Sequence, residues 1–153
     1  MRCAFLSLTI LTGLLLAGCA SSRHGGVVKV LPQYLDANGQ HTVSPSLYDR
    51  DAYQADLRLH PEKRSGIRYV VQWRAAESVV TMKLRVELRG IAHGTLPGKK
   101  IIETEIKGGR GASRWENVKF SGEEYKSFGE ITAWRVTLWD GDKLLGEQKS
   151  FLW

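Results

Sequence analysis

The sequence predicts a mainly β protein, an antiparallel sandwich of about seven strands with one short helix between the first and second strands. Three observations predict it. Short β-rich runs after residue 26 alternate apolar and polar side chains. Turn residues (Gly, Pro, Asn and Asp) separate these runs at fairly regular intervals. A single longer stretch has helical spacing, so we expect one layered β domain over residues 27–153.

The segment before this domain has the plan of a secretory leader. Arg2 provides a positive charge, an apolar run extends from Ala4 to Leu16, and two small residues precede Cys19. The apolar run is shorter than the roughly 20 residues that a membrane-spanning helix needs. We expect residues 1–18 to be a cleaved signal peptide. An uncleaved anchor and an ordinary signal peptide are the alternatives.

The end of the leader, Leu16-Ala17-Gly18-Cys19, resembles the lipobox of bacterial lipoproteins. The resemblance implies cleavage before Cys19, a diacylglycerol on its thiol, and acylation of the new amino terminus. Residue 20 is Ala rather than Asp, which by the same resemblance implies an outer-membrane lipoprotein of the cell envelope that faces the periplasm. Each buried CH₂ contributes about 0.8 kcal/mol, so two or more acyl chains anchor a protein stably. The covalent lipid on Cys19 takes the place of any cofactor in this prediction.

Residues 19–26 are small and polar, which predicts a flexible tether. The other cysteine, Cys3, lies in the leader, so no disulfide within the mature chain is expected and apolar packing must stabilise the domain.

The chain is basic, with 22 Lys and Arg against 16 Asp and Glu, and the leader removes only Arg2. This surplus is compatible with anionic lipid head groups or acidic polysaccharide. A solvated surface whose net charge aids solubility is the favoured interpretation. Nucleic acid is not an expected partner, because no basic helix or aromatic-basic RNA motif occurs.

The first strand is predicted over Val27–Leu35, where Pro32 suits an edge strand. Asn38-Gly39 predicts a tight hairpin that returns through residues 41–43.

The helix is predicted from Tyr48 to His60. Ser46-x-x-Asp49 matches a capping box before it, and Tyr53 and Leu57 fall on one face of it.

Period-two alternation predicts the next strands and their inward side chains. These side chains are Ile67, Tyr69, Val71 and Trp73, and then Val80, Met82, Leu84, Val86 and Leu88.

Turns are predicted at His93-Gly94 and at Leu96-Pro97-Gly98, followed by a strand over Ile101–Ile106, a loop over residues 108–111 and a strand over Ser113–Phe120. Ser121-x-x-Glu124 predicts a capping box and a single helical turn that Gly129 ends.

A strand over Ile131–Trp139 then has Trp134, Val136 and Leu138 inward and Arg135, Thr137 and Trp139 outward. Asp140-Gly141-Asp142 predicts a turn into a last strand, Lys143–Trp153.

About seven short strands in this order resemble immunoglobulin or fibronectin type III domains. The chain departs from those families in having no Cys…Trp…Cys framework, and Tyr125 does not fit a tyrosine corner. An open barrel and a jelly roll are the alternatives.

No assembled catalytic or metal chemistry is expected. His24, His41, His60 and His93 are scattered without metal-binding spacing, and no G-x-S-x-G motif occurs. The loop that begins at Gly108 lacks the GK[ST] of a phosphate cradle. Asp140-x-Asp142 lacks the other oxygen ligands that Ca²⁺ requires. A non-catalytic module is therefore the expected function class.

The candidate ligand-binding residues are two tryptophans and the basic side chains on the outward phase of one strand. They are Trp139, Trp153, Lys83, Arg85 and Arg89. The expected role is structural or the binding of an envelope protein, and a carbohydrate or glycolipid is the alternative ligand. Trp73 and Trp134 fall on the apolar phase of their strands and are expected in the core.

Overall fold

The computed structural model describes residues 25–75, 80–92, 96–108 and 113–153. The predicted signal peptide, Cys19 and the tether up to residue 24 lie outside these ranges, as do the predicted turn at His93-Gly94 and residues 109–112. The described elements are β1 (Gly26–Asp36), α1 (Leu47–Leu59), a 3₁₀ turn (Pro61–Lys63), β2 (Arg64–Arg74), β3 (Thr81–Ala92), β4 (Leu96–Lys107), β5 (Ser113–Ser121), α2 (Glu123–Phe128), β6 (Glu130–Asp140) and β7 (Lys143–Lys149).

The strands form two antiparallel sheets, a three-stranded sheet in the order β1-β2-β5 and a four-stranded sheet in the order β4-β3-β6-β7. The predicted fold class is confirmed: the domain is an immunoglobulin-like sandwich with a helix between its first and second strands.

The core lies between the two sheets and is built by alternating side chains. Met82, Leu84, Val86 and Leu88 of β3 are buried, as the period-two pattern predicts. The prediction that Val80 joins them is wrong, because its side chain is 81% exposed. The strand begins one residue later, and only the Val80 carbonyl is engaged, accepting the N–H of Gly108 at 2.8 Å.

One side chain that was predicted to face outward, Thr137, is also buried. Its hydroxyl accepts a hydrogen bond of 2.8 Å from the indole Nε1 of Trp139, and the large neighbouring ring shields it from solvent.

Helix α1 begins and ends within one residue of its predicted bounds. Ser46 is the N-cap, and its hydroxyl accepts the N–H of Asp49 at 3.4 Å. Leu57 is buried against the sandwich, and the half-buried Tyr53 donates a hydrogen bond of 2.5 Å to the carboxylate of Asp36. The helix is therefore fastened to the end of β1.

The hairpin predicted after β1 is wrong. A turn forms at residues 37–39, with Gly39 at a φ of 74°, but no strand follows it over residues 41–46. The Asp36 carboxylate accepts the N–H groups of Asn38 and Gln40. These local hydrogen bonds turn the chain toward α1 instead of back along β1.

The turn predicted at Leu96-Pro97-Gly98 is also wrong, because these residues are the first part of β4. Pro97 pairs with Ile91, and Gly98 pairs with Gly90. An edge strand tolerates a proline because no ladder hydrogen bond is lost on its open side. A Cβ at Gly90 would lie 2.4 Å from the ring of Phe128, so the glycine pair makes room for that ring.

Helix α2 is the helical turn predicted before Gly129, but its N-cap is Gly122, with a φ of 75°, and not Ser121. Ser121 is the last residue of β5, and no side chain caps this helix.

The predicted extension of the last strand to Trp153 is wrong. Strand β7 ends at Lys149, after which Ser150 exchanges two hydrogen bonds with the backbone of Trp134, at 2.9 and 3.0 Å. These bonds hold the chain end over the four-stranded sheet.

The first and last strands lie side by side where the domain begins. A Cβ added at Gly146 would lie 3.0 Å from the Cα of Gly26, and Gln148 donates to the Val28 carbonyl at 2.7 Å. This contact joins the two sheets along one edge of the sandwich.

Candidate functional site

All five candidate ligand-binding residues lie on one surface, the outer face of the four-stranded sheet, which we call the four-stranded face. Strand β3 contributes the three basic side chains, β6 contributes Trp139, and the segment after β7 contributes Trp153. Lys83 is the register partner of Trp139. The residues are nevertheless divided into two groups, because Lys83 and Arg89 are six residues apart on one strand, about 20 Å.

The first group is centred on Trp139. The guanidinium carbon of Arg85 lies 5.5 Å from the indole ring centre. Arg85 also donates to Glu103 on β4 at 2.7 Å, and the ammonium of Lys83 lies 3.3 Å from the same carboxylate. The hydrogen bond from Arg85, with Lys83 beside it, holds the pKa of the Glu103 carboxyl below its usual value. The Glu103 carboxylate therefore holds both the Arg85 guanidinium and the Lys83 ammonium in place.

The second group is centred on Trp153. The guanidinium carbon of Arg89 lies 4.0 Å from its ring centre, and that of Arg135 lies 4.9 Å away. Arg135 is itself held by two hydrogen bonds to Glu87, at 2.8 and 3.0 Å. A small cleft of about 100 Å³ lies beside the indole, and Lys99 and Ile101 also line it.

The two other tryptophans that the sequence assigns to the core behave as expected. Trp73 is buried, and Trp134 packs against the core with its ring centre 6.0 Å from that of Tyr69.

A cleft of about 410 Å³ lies between the 3₁₀ turn after α1 and the junction of α2 with β6. Its charged residue with the least exposure is Arg64, whose guanidinium donates to the Leu57 and Arg58 carbonyls and to the Glu130 carboxylate. The guanidinium carbon also lies 4.0 Å from the Tyr34 ring centre. These partners give Arg64 a structural role, because its donors are directed at the protein and not at the cleft.

The polar groups with the most perturbed pKa values have structural explanations too. The hydrogen bond to Asp36 raises the pKa of Tyr53 to about 12, and burial raises the pKa of Tyr69. Of the histidines that the structure describes, His60 lies 2.9 Å from the Asp56 carboxylate on the surface of α1. Over residues 25–75, 80–92, 96–108 and 113–153, no three His, Cys, Asp or Glu side chains are grouped to hold a metal ion.

Sequence reasoning missed the partners that organise the four-stranded face. Glu87 lies on β3 between Arg85 and Arg89, whereas Glu103 of β4 and Arg135 of β6 are brought beside the predicted residues only by strand register. The sequence signal that could have identified them is their outward position in the alternation of each strand.

No helix in the described part of the chain is long and apolar enough to cross a membrane. Comparisons with family models, with curated proteins and with solved structures found no match to this chain.

Proposed function

We propose that this chain is a membrane-anchored envelope lipoprotein whose sandwich is a non-catalytic module that binds a protein partner. The lipobox Leu16-Ala17-Gly18-Cys19 supports the anchor. The chain from Cys19 to Gly25, where the described domain begins, reaches at most roughly 20 Å when fully extended. An acylated Cys19 would therefore keep the sandwich close to a bilayer.

The four-stranded face supports the proposed partner binding. Trp and Arg are the residues that most often dominate the binding energy of protein interfaces. Here two indoles are stacked by guanidinium groups, and carboxylates hold Arg85 and Arg135 in place. Side chains that are already held lose little conformational entropy on binding. This arrangement of held Arg–Trp pairs is the observation that carries the proposal.

The alternative ligand is a carbohydrate or glycolipid on the same face. The observation that favours it is the small cleft beside Trp153, where an indole edge, the exposed Ile101 and basic side chains adjoin. A sugar on the stacked side of the indole would have to displace the guanidinium of Arg89, which disfavours this alternative relative to a protein partner.

The anchor is tested by the intact mass of the protein from the membrane fraction. We expect a mature chain that starts at Cys19 and carries acyl chains, and a Cys19→Ser variant that is unprocessed or leaves the membrane with its domain still folded. A native protein whose Cys19 is unmodified, or whose mature chain starts elsewhere, contradicts the anchor.

The binding face is tested by a photocrosslinking amino acid at Ile101 in the intact cell. Leu59 provides the matched control position, because it is also apolar and exposed but lies on α1. We expect a protein adduct of defined mass from position 101, reduced by Trp153→Ala, and none from position 59. Equal adducts at the two positions would contradict the face. A glycan array that responds to the full chain and loses the response in Trp153→Ala would establish the alternative instead.

A further inference from the structure

The outer face of the three-stranded sheet, which we call the three-stranded face, differs from the four-stranded face in the partners of its charges. Arg68 on β2 and Lys119 on β5 are register partners and project from the same side of the sheet. Directly opposed residues of an antiparallel pair have Cβ atoms about 5 Å apart, so like charges here repel. Within the described ranges, neither side chain forms an ion pair with a carboxylate.

Helix α1 and the turn before it add to this positive charge. Gln54 donates to the carbonyls of Tyr34 and His41, at 3.0 and 2.7 Å, which fixes this face of the helix beside the end of β1. Arg50 lies one helical turn earlier on the same face. Burial and the nearby charges of Arg68, Arg50 and Lys119 lower the pKa of the His41 imidazole.

The rest of the three-stranded face offers an aromatic ring, amides and two further exposed cations, Lys29 and Arg74. The side chain of Trp115 is 49% exposed, and its register partner is Gln72. The exposed Asn117 separates it from Lys119 on β5, and Gln33 accepts a hydrogen bond of 2.8 Å from Arg68. Trp115 and Lys119 are four residues apart on one strand, about 13 Å. Between the row of Trp115 and the row of Lys119, the outward positions of β1, β2 and β5 carry no carboxylate.

We propose that the three-stranded face binds an anionic polysaccharide chain through its carboxylate, sulfate or phosphate groups. The exposed indole of Trp115 provides a surface on which a sugar ring stacks. Gln72 and Asn117 supply donors and acceptors for hydroxyl groups. Arg68 and Lys119 bind the charged substituents, and an anion bound between them removes their mutual repulsion. A chain is required because the stacking ring and the Arg68–Lys119 pair are farther apart than one sugar ring extends.

The geometry favours a polysaccharide over a bilayer for this face. Trp115 lies near the end of the sandwich where the chain enters at Gly26, because Gly26, Arg74 and Ser113 are aligned across the sheet. Arg68, Lys119 and Arg50 lie toward the other end. A flat bilayer against the entry end would reach the indole, Lys29 and Arg74 but would leave Arg68, Lys119 and Arg50 unused, whereas a polysaccharide chain along the face contacts both ends. The proposal rests neither on the anchor nor on the four-stranded face.

The test measures binding of the full-length chain, kept in detergent, to polygalacturonate by isothermal titration calorimetry. Dextran is the neutral polymer, polyglutamate is the acidic polypeptide, and vesicles with 30% phosphatidylglycerol are the bilayer. We expect polygalacturonate to bind, to weaken as NaCl is raised, and to bind more tightly than the three comparison ligands.

The variants locate the site. Arg68→Gln and Trp115→Ala are each expected to weaken polygalacturonate binding by about tenfold, the effect of losing roughly 1.4 kcal/mol. Lys119→Glu is the second variant at this pair. Because Lys119 is exposed, its substitution still tests the site if Arg68→Gln unfolds the domain. Lys143→Gln is the matched control, because it removes one positive charge from an exposed position at the start of β7, in the other sheet, and should leave binding within twofold.

Several results would overturn the proposal. No binding of polygalacturonate, equal or tighter binding of polyglutamate or of the vesicles, or an equal loss in Lys143→Gln and Lys119→Glu would each do so. The anchor and the crosslinking face are measured separately, so their failure would be distinct from this one.

Discussion

The guanidinium of Arg64 lies 3.1 Å from the carboxylate of Glu130, and this pair connects the start of β2 with the start of β6. The two side chains differ in exposure: Arg64 is 3% exposed, whereas Glu130 is 57% exposed. The same guanidinium donates to the Leu57 and Arg58 carbonyls at the end of α1. Arg64 therefore holds three separate elements together from a buried position.

Arg64→Ala is expected to lower the free energy of unfolding by about 2 to 4 kcal/mol, because it leaves two carbonyls of α1 without their donors. Glu130→Gln should cost less than about 1 kcal/mol, since the Glu130 side chain is largely exposed to solvent and the amide oxygen of Gln still accepts from Arg64. Urea denaturation of the two variants measures both. Equal losses would mean that the ion pair, and not the carbonyl contacts, is what stabilises this region.

The Asp36 carboxylate predicts a dependence of stability on pH. Burial opposes its ionisation, but hydrogen bonds from Tyr53, Gln40 and Asn38 outweigh burial and hold its pKa below the usual value. A carboxyl whose pKa is lowered on folding stabilises the fold above its unfolded pKa, about 3.9 for Asp. This contribution is lost as pH falls through the lower folded pKa.

Asp36→Asn should therefore be less stable than the native chain at pH 7 and should lose less stability between about pH 4 and pH 2. Thermal unfolding across that range is the measurement. Asp142→Asn is the control, because Asp142 is exposed in the turn between β6 and β7. Parallel pH profiles for Asp36→Asn and the native chain would show that Asp36 is not the group involved.

The Gly90–Phe128 contact predicts a specific steric coupling. An added Cβ at position 90 would lie 2.4 Å from the Phe128 ring and 2.7 Å from the Glu130 carbonyl oxygen. Gly90→Ala should therefore destabilise the domain by about 1 to 3 kcal/mol, the usual effect of overpacking. The same change in a Phe128→Ala background should cost less, and a double-mutant cycle by urea denaturation measures the difference. Additive effects would mean that the added Cβ clashes with the backbone carbonyl of Glu130 and not with the Phe128 ring.

The phase of β3 predicts a contrast between neighbouring positions. Leu84→Ala removes a fully buried side chain and should cost about 2 to 5 kcal/mol. Val86→Asp should abolish folding, because it places a charge in the same core. Lys83→Ala should change stability by less than about 1 kcal/mol, since the pair with Glu103 is exposed. Similar losses at positions 83 and 84, read from the unfolding midpoints, would contradict the assigned faces.

Alternation made the faces of β2 and β3 predictable, because a half-buried strand directs every second side chain to the core. Predictions from local residue types were wrong where tertiary contacts determined the structure instead. Pro97 and Gly98 have the composition of a turn, yet they pair with Ile91 and Gly90 in an edge strand, and Phe128 packs over the glycine pair. This tertiary contact with Phe128 cannot be predicted from the sequence alone.

The candidate site was predictable only in part, for a similar reason. Lys83, Arg85 and Arg89 share a strand, so their common face follows from the period. The pairing of Lys83 and Arg85 with Glu103, and the position of Trp153 over Arg89, depend on strand register and on how Ser150 turns the chain. The juxtaposition of Arg68 and Lys119 likewise requires the pairing of β2 with β5.

The way in which β1 enters the sandwich has a mechanical consequence. Its full length is paired antiparallel with β2, and its start rests against Gly146 of the last strand. Tension applied to the chain ahead of residue 26, along the strand axis, would load the β1–β2 hydrogen bonds simultaneously in shear. They would not open one after another, as in a zipper. A domain that is pulled from this end should therefore yield at a higher force than one that is pulled across its sheets.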